Sequence, residues 1–207
     1  MNRTDPLDLV TTGVAVGGAG IARDGDGRVV FVEGALVGER VSVEIVETKK
    51  SFRRGRVLDV LEPAPGRVLP SCPEIANGCG GCDLAHASHA AQREMKAAMV
   101  ADSLRRLGRL ADLPDIDPGP DLATTGFRTT IRAAVVDGRA GLRHRRSHDV
   151  VTVASCEVAH PVVGAGVAEH SAYQRDPWTR LRDIDASGRR FVWTDEDASR
   201  KEGARLR

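Results

Sequence analysis

Apolar and polar residues alternate in short runs through the first third of the chain. Val41, Val43 and Ile45 alternate with Ser42 and Glu44, the period-2 signature of a half-buried strand. Val29-Val30-Phe31-Val32 predicts a short buried strand with Phe31 in the core, and Val57, Leu58, Val60 and Leu61 predict another. Asp24-Gly25-Asp26-Gly27 is a hairpin signal between two strands. Strands this short, spaced by such turns over residues 7–63, predict a small antiparallel barrel. Gly17-Gly18-Ala19-Gly20 does not fit the GxGxxG spacing of a nucleotide loop and no helical pattern follows it, so these glycines are assigned to a turn or a barrel bend.

Pro63, Pro65, Pro70 and Pro73 then break the pattern. From Ala90 to Leu107 the period changes to that of a helix, with Met95, Met99, Val100, Leu104 and Leu107 as its apolar stripe and Gly108 as its stop. Glu94 and Asp102 on that helix read as surface charges. Leu113 to Asp121 is a linker rich in Pro and Asp and marks a domain boundary. Residues 127–158 return to strands: Thr130 to Val136 runs to a turn at Asp137-Gly138, and Val150 to Val153 leads towards Cys156. After Pro161 the pattern weakens to one clear strand, Arg190 to Trp193, and a polar tail.

The 207 residues are 41% hydrophobic but only 3% aromatic, enough for one or two small domains. No stretch approaches the roughly 20 apolar residues of a membrane span. A net charge of +1 hides three basic clusters: Lys49, Lys50, Arg53, Arg54 and Arg56; Arg105, Arg106 and Arg109; and Arg139, Arg143, Arg145 and Arg146 with His144 and His148. Such clusters bind phosphates or form solvated, salt-bridged faces.

Four cysteines carry the strongest chemical signal. Cys72, Cys79 and Cys82 lie in CPEIANGCGGC, and Cys156 stands far downstream in VVTVASC. One CxxC with a third cysteine upstream and a distant fourth is the constellation of a metal or iron–sulfur site, because soft thiolates complete the shell of zinc or of a cubane cluster. Paired CxxC knuckles favour zinc; the single CxxC tilts the assignment to iron–sulfur, with zinc left open. Disulfides are disfavoured because no apolar signal segment follows Met1, so the chain reads as cytoplasmic and reduced. Cys156, within an apolar run, also fits an inert buried thiol. His86 and His89 are alternative ligands, but with four cysteines at hand they read as helix-start residues.

GAGIARDGDGRVVFVEGALVGERVSVEI and SFRRGRVLDVLEPAPGRVLPSC resemble a TRAM domain, a small RNA-binding barrel. GCGGCDLAHASHAAQREMK is similar to the cluster segment of bacterial RNA (uracil-5-)-methyltransferases, and FRTTIRAAVVDGRAGLRHRRSHDVVTVASCEVAHP to their central domain. The resemblance covers residues 8 to about 163. It implies a mixed α/β, mainly β protein: an OB-like TRAM barrel at 1–65, a cysteine-cluster loop and helix at 66–112, and a partial α+β central domain at 121–207.

The resemblance also implies a 4Fe-4S cluster on Cys72, Cys79, Cys82 and Cys156, with a structural role, RNA as substrate, and S-adenosylmethionine as methyl donor in the complete enzyme. The family's C-terminal methyltransferase domain has no counterpart here: neither a Gly-rich cofactor loop after a strand nor an Asp-Pro-Pro motif is found. Carbon 5 of uracil becomes nucleophilic only when a thiolate adds at carbon 6, and no fifth cysteine remains for that step. The chain is therefore expected to be the RNA-recognition half of such an enzyme, inactive alone, with a separate or downstream catalytic domain as partner and no membrane contact. The alternatives are a stand-alone, non-catalytic metal-binding RNA module or truncated remnant, and a structural zinc protein. Lys49, Lys50, Arg53, Arg54 and Arg56 are the expected phosphate contacts on the barrel; Phe52 is the first candidate for a stacking platform, with ordinary loop packing as its alternative, and Phe127 is a further aromatic candidate. Arg128, Arg132, Arg143, Arg145 and Arg146 are expected to form a second RNA face near the cluster.

Overall fold

The computed structural model describes residues 5–136, 139–168, 180–184 and 190–193. The chain forms two compact units: residues up to Pro70 together with Asp83–Pro120, and Ser71–Cys82 together with the chain from Asp121 onward. The cysteine loop is thus grouped with the C-terminal unit, and the segment that follows it with the N-terminal one. The Asp137-Gly138 turn and the polar tail lie outside the described residues.

The N-terminal unit is built on six strands, β1 (Leu7–Val10), β2 (Gly13–Val14), β3 (Gly20–Arg23), β4 (Val29–Glu33), β5 (Arg40–Thr48) and β6 (Phe52–Glu62). Their order is β1-β5-β6-β4-β3-β2. β1 and β2 are successive pieces of one extended segment, pairing with β5 at one end and β3 at the other, so the sheet closes on itself as a barrel. The β3–β4 hairpin turns at Asp24, whose Oδ1 accepts from the amides of Asp26 and Arg28 at 3.0 and 2.9 Å. Leu9, Ala22, Val30, Val32, Ala35, Val41 and Val43 fill the barrel. The alternation read along β5 holds, with Val41 and Val43 inward. Phe31 is a correction: Val30 and Val32 are fully buried, so pleating turns Phe31 to the outer face, where it is half-buried.

Pairing Thr11 with Glu39 organises the barrel's end. Glu39 is fully buried. Its carboxylate accepts from the amides of Leu36 at 2.7 Å and Ala64 at 3.2 Å, and from Arg67 Nε and Nη2, the latter at 2.7 Å. Arg67 Nη2 also reaches Gly34 O at 2.6 Å. Burial pushes the Glu39 carboxyl up, but the Arg67 guanidinium and the two amides outweigh it and hold the group below its ordinary value.

The helix α1 (His89–Arg106) starts at Ser88, whose hydroxyl accepts from the Ala91 amide at 3.3 Å. It packs through Met95, with Ala91 and Met99 beside it, on Val14, Leu36 and Ala87. The apolar stripe is narrower than its spacing predicts: Val100 and Leu107 are 49% and 77% exposed.

The C-terminal unit contains the sheet β10-β9-β8, made of β8 (Ala134–Val136), β9 (Arg139–Arg143) and β10 (Val150–Thr152). A second sheet, β12-β11-β7, is made of β7 (Ile131–Arg132), β11 (Arg180–Ile184) and β12 (Arg190–Trp193). A helix, α2 (Pro161–Ala168), runs where the sequence pattern is weak. Cys79, Ile131, Ala133, Leu142, Val153, Ala159 and Val163 form its core, with Val151 and Cys156 packed against it. No helix among the described residues is long and apolar enough to cross a membrane.

Candidate metal centre and basic surfaces

The cysteine loop is held by its backbone. Cys72 precedes a single 3-10 turn, Pro73–Ile75, and the chain then folds back with the Cys79 amide donating to Glu74 O at 2.9 Å. Beyond the turn the loop pairs with the end of β9. Gly80 N donates to Arg143 O at 3.0 Å, Arg145 N donates to Gly78 O at 3.2 Å, and Cys79 lies opposite His144 in an antiparallel bridge. Glycine is required twice. Gly78 has φ +88°, and a Cβ there would stand 1.9 Å from His144 Nε2; a Cβ on Gly80 would meet the Arg145 backbone at 2.8 Å.

Side chains complete the docking. Arg145 Nη2 donates to Cys82 O at 3.0 Å, Arg128 Nη2 reaches Gly81 O at 3.4 Å, and Ser71 Oγ donates to Glu157 Oε2 at 2.6 Å. Cys156, next to Glu157, closes a turn through the Ala159 amide at 3.0 Å. Two of the arginines expected on an RNA face, Arg128 and Arg145, therefore anchor the loop. Sequence reasoning had no signal for that role, because their partners are backbone carbonyls.

All four cysteines are free thiols; Cys79 is buried and the other three are half-buried. They share one electrostatic neighbourhood. Burial pushes the Cys79 thiol up; the Gly81 amide opposes this, and Cys156, Cys72 and Glu74 push it further. Burial likewise raises Cys82, Arg128 opposes it, and Cys156, Cys79 and Cys72 add to the rise. Burial thus disfavours ionisation of Cys79 and Cys82, and a bound cationic centre would reverse that preference, since a coordinating thiol is deprotonated outright. By donor chemistry, the set fits a thiolate-ligated metal group. Among the described residues no set of three or more His, Cys, Asp or Glu groups is already arranged to hold a metal ion. His89 opens α1, and His86, two residues before the helix cap, groups with it in the N-terminal unit, whereas the cysteine loop groups with the C-terminal one.

The barrel's basic cluster is interleaved with acids. Lys49 Nζ lies 2.9 Å from Glu47, Arg53 Nη1 3.0 Å from Asp24, Arg54 Nε 3.2 Å from Glu47, and Arg56 pairs with Glu44. Lys50 is exposed. Phe52 meets Phe31 edge to face, ring centroids 5.7 Å apart, and the Arg54 guanidinium lies 5.2 and 5.6 Å from the two ring centres. The Lys49–Glu47 and Arg56–Glu44 pairs are largely exposed and worth about 0–1 kcal/mol, so phosphates can displace those carboxylates at little cost, whereas Arg53 is held by the buried Asp24. In the C-terminal unit Arg132 and Arg146 are exposed, Arg146 with φ +53° in the turn after β9, and Arg143 Nη1 contacts His148 Nδ1. Phe127 is 55% exposed.

Residues 11–58 match the TRAM domain family. Residues 150–207 match the catalytic domain of the ER-bound oxygenase mpaB/B'/rubber oxygenase family, a stretch that mostly lies outside the described residues. The chain is 39% identical over 194 residues to an uncharacterised RNA methyltransferase of Corynebacterium efficiens, covering 93% of this chain and 46% of that protein. It is 39% identical over 163 residues to a 23S rRNA (uracil(1939)-C(5))-methyltransferase of Halomonas elongata, covering 76% of this chain and 33% of that one. The chain thus spans less than half the length of these relatives. In fold it is similar to the Pyrococcus abyssi tRNA (uracil-54, C5)-methyltransferase solved with S-adenosyl-L-homocysteine, with a TM-score of 0.57 at 20% identity, over 89% of this chain and 44% of that one.

Proposed function

We propose that this chain, with its TRAM-matching residues 11–58 and its RNA methyltransferase relatives, is the RNA-recognition portion of an RNA (uracil-5-)-methyltransferase acting on ribosomal or transfer RNA. S-adenosylmethionine is the methyl donor of the complete enzyme in this reading. Cys72, Cys79, Cys82 and Cys156 hold a 4Fe-4S cluster. When bound, the cluster supplies a cross-link between the cysteine loop and the Cys156 turn. The observation that carries the proposal is the docking of the Ser71–Cys82 loop beside Cys156 by Arg128, Arg145 and Glu157.

RNA recognition falls to the chain's own residues. Lys49, Arg54 and Arg56 exchange carboxylates for phosphates along the barrel, Lys50 and Arg53 add charge beside them, and Phe52 offers a ring. Arg128, Arg132, Arg143, Arg145 and Arg146 supply charge around the cysteine loop. Binding of a fluorescent ribosomal RNA fragment, followed by anisotropy across salt, tests the reading. Affinity should fall steeply as salt rises, because each phosphate contact on a single strand contributes a log–log slope of about −0.7. Replacing Arg54 and Arg56 by alanine should flatten that slope. An absence of RNA binding at low salt overturns the proposal.

A further inference from the structure

A cavity of about 290 Å³ lies against the cysteine loop, within the C-terminal unit. Gly80 and Gly81 line one side, Ile131 and Leu142 contribute apolar surface, and Arg128, Arg132 and Arg143 are among the lining residues. No lining residue is a carboxylate. Among the described residues neither Arg128 nor Arg132 is paired with a carboxylate, although the Arg128 charge also favours the Cys82 thiolate. The barrel is different: Arg40, Arg53, Arg54, Arg56 and Arg67 each face an acid.

Positive groups gathered around one cavity without a carboxylate repel each other, and the arrangement favours an anion that enters. The buried apolar surface, with Ile131 2% and Leu142 9% exposed, strengthens that attraction by excluding water. Arg128 spends one N–H on Gly81 O and keeps the rest of its five donors. Thr130 and Arg132 are exposed, so the cavity opens to solvent and admits one group of a long polymer while its neighbours stay outside.

We propose that this cavity seats a single backbone phosphate of RNA, with Arg128 and Arg132 as its main charges and the docked cysteine loop as its wall. The inference rests on the RNA-recognition reading above and adds a defined subsite to it. It places the strongest phosphate contact beside the cysteine loop, away from the acid-paired arginines of the barrel.

The test uses the full chain, purified without oxygen, and a fluorescent single-stranded oligouridylate read by anisotropy across salt. Arg132→Ala removes an exposed side chain, so the fold should persist. Its salt slope should be shallower by about 0.7, and affinity at about 0.1 M salt should drop about fivefold. Arg106→Ala, whose residue pairs with Asp102 on α1, should change neither. Amide signals of Gly80, Gly81 and Thr130 should shift on oligouridylate addition and lose that shift in Arg132→Ala. If the wild type binds no RNA, the RNA reading itself fails. If it binds RNA with an unchanged slope and affinity in Arg132→Ala, the subsite is wrong and that reading stands. If inorganic phosphate shifts the same amides but oligouridylate does not, the cavity is a site for free anions and the RNA assignment is overturned.

Discussion

Glu39→Gln changes one fully buried oxygen to an amide nitrogen in a site where every neighbour is a donor. Four N–H groups, from Leu36, Ala64 and twice from Arg67, converge on the two carboxylate oxygens. Glutamine keeps one acceptor oxygen and sets an NH2 against the remaining donors. It also leaves Arg67, whose side chain is only 21% exposed, without its countercharge. Removing one partner of a buried pair costs about 3–5 kcal/mol. For a unit of this size that lowers the melting temperature by on the order of 10–20 °C. The sign with pH follows from the lowered carboxyl. Ionised Glu39 contributes its full stability above the unfolded-state value and loses it as pH falls through the lower folded-state value. The gap between wild type and Glu39→Gln should therefore be full at neutral pH and shrink in acid below the ordinary carboxylate range. Thermal melts followed by circular dichroism across pH measure both effects. A loss under about 0.5 kcal/mol at neutral pH, or a gap that widens in acid, refutes the reasoning.

Gly80→Val should undock the cysteine loop, because its side chain meets the Arg145 backbone rather than a movable group; overpacking of this kind costs about 1–3 kcal/mol, and metal content should fall while the barrel's exchange protection is unchanged. Cys156→Ser should lose the metal and speed amide exchange over residues 121–163; full metal content with an unchanged melting profile would remove Cys156 from the ligand set. Phe52→Leu should weaken single-stranded RNA binding by about 1–3 kcal/mol if the ring stacks on a base. Unchanged affinity with a lower melting temperature would leave Phe52 only its edge contact with Phe31.

The barrel and α1 were legible because their signals are local: alternation along Val41–Ile45, the Asp24–Gly27 turn, and the 3.6-residue period after Ser88. The cysteine spacing was legible as chemistry. What escaped is what only tertiary pairing decides. Phe31 reads as core in an apolar run, yet pleating gives the interior to Val30 and Val32. Nothing in the local sequence marks Glu39 for burial, yet Arg67 and two amides draw it inside. The basic run Lys49–Arg56 leaves phosphate binding and a salt-bridged face both open, and the acids that pair with it, Asp24, Glu44 and Glu47, come from neighbouring strands and turns. The helix α2, rich in Gly and Val, has weak intrinsic helix preference and depends on packing through Val163.

In the proposed protein, two cysteine segments far apart in sequence share one cluster. Iron and acid-labile sulfide, measured per chain on protein purified without oxygen, test it most directly. The expected result is a brown protein with iron and sulfide in near-equal amounts, about four of each per chain, and loss of both in Cys156→Ser. A colourless protein carrying one zinc, or iron retained in full by Cys156→Ser, would contradict it.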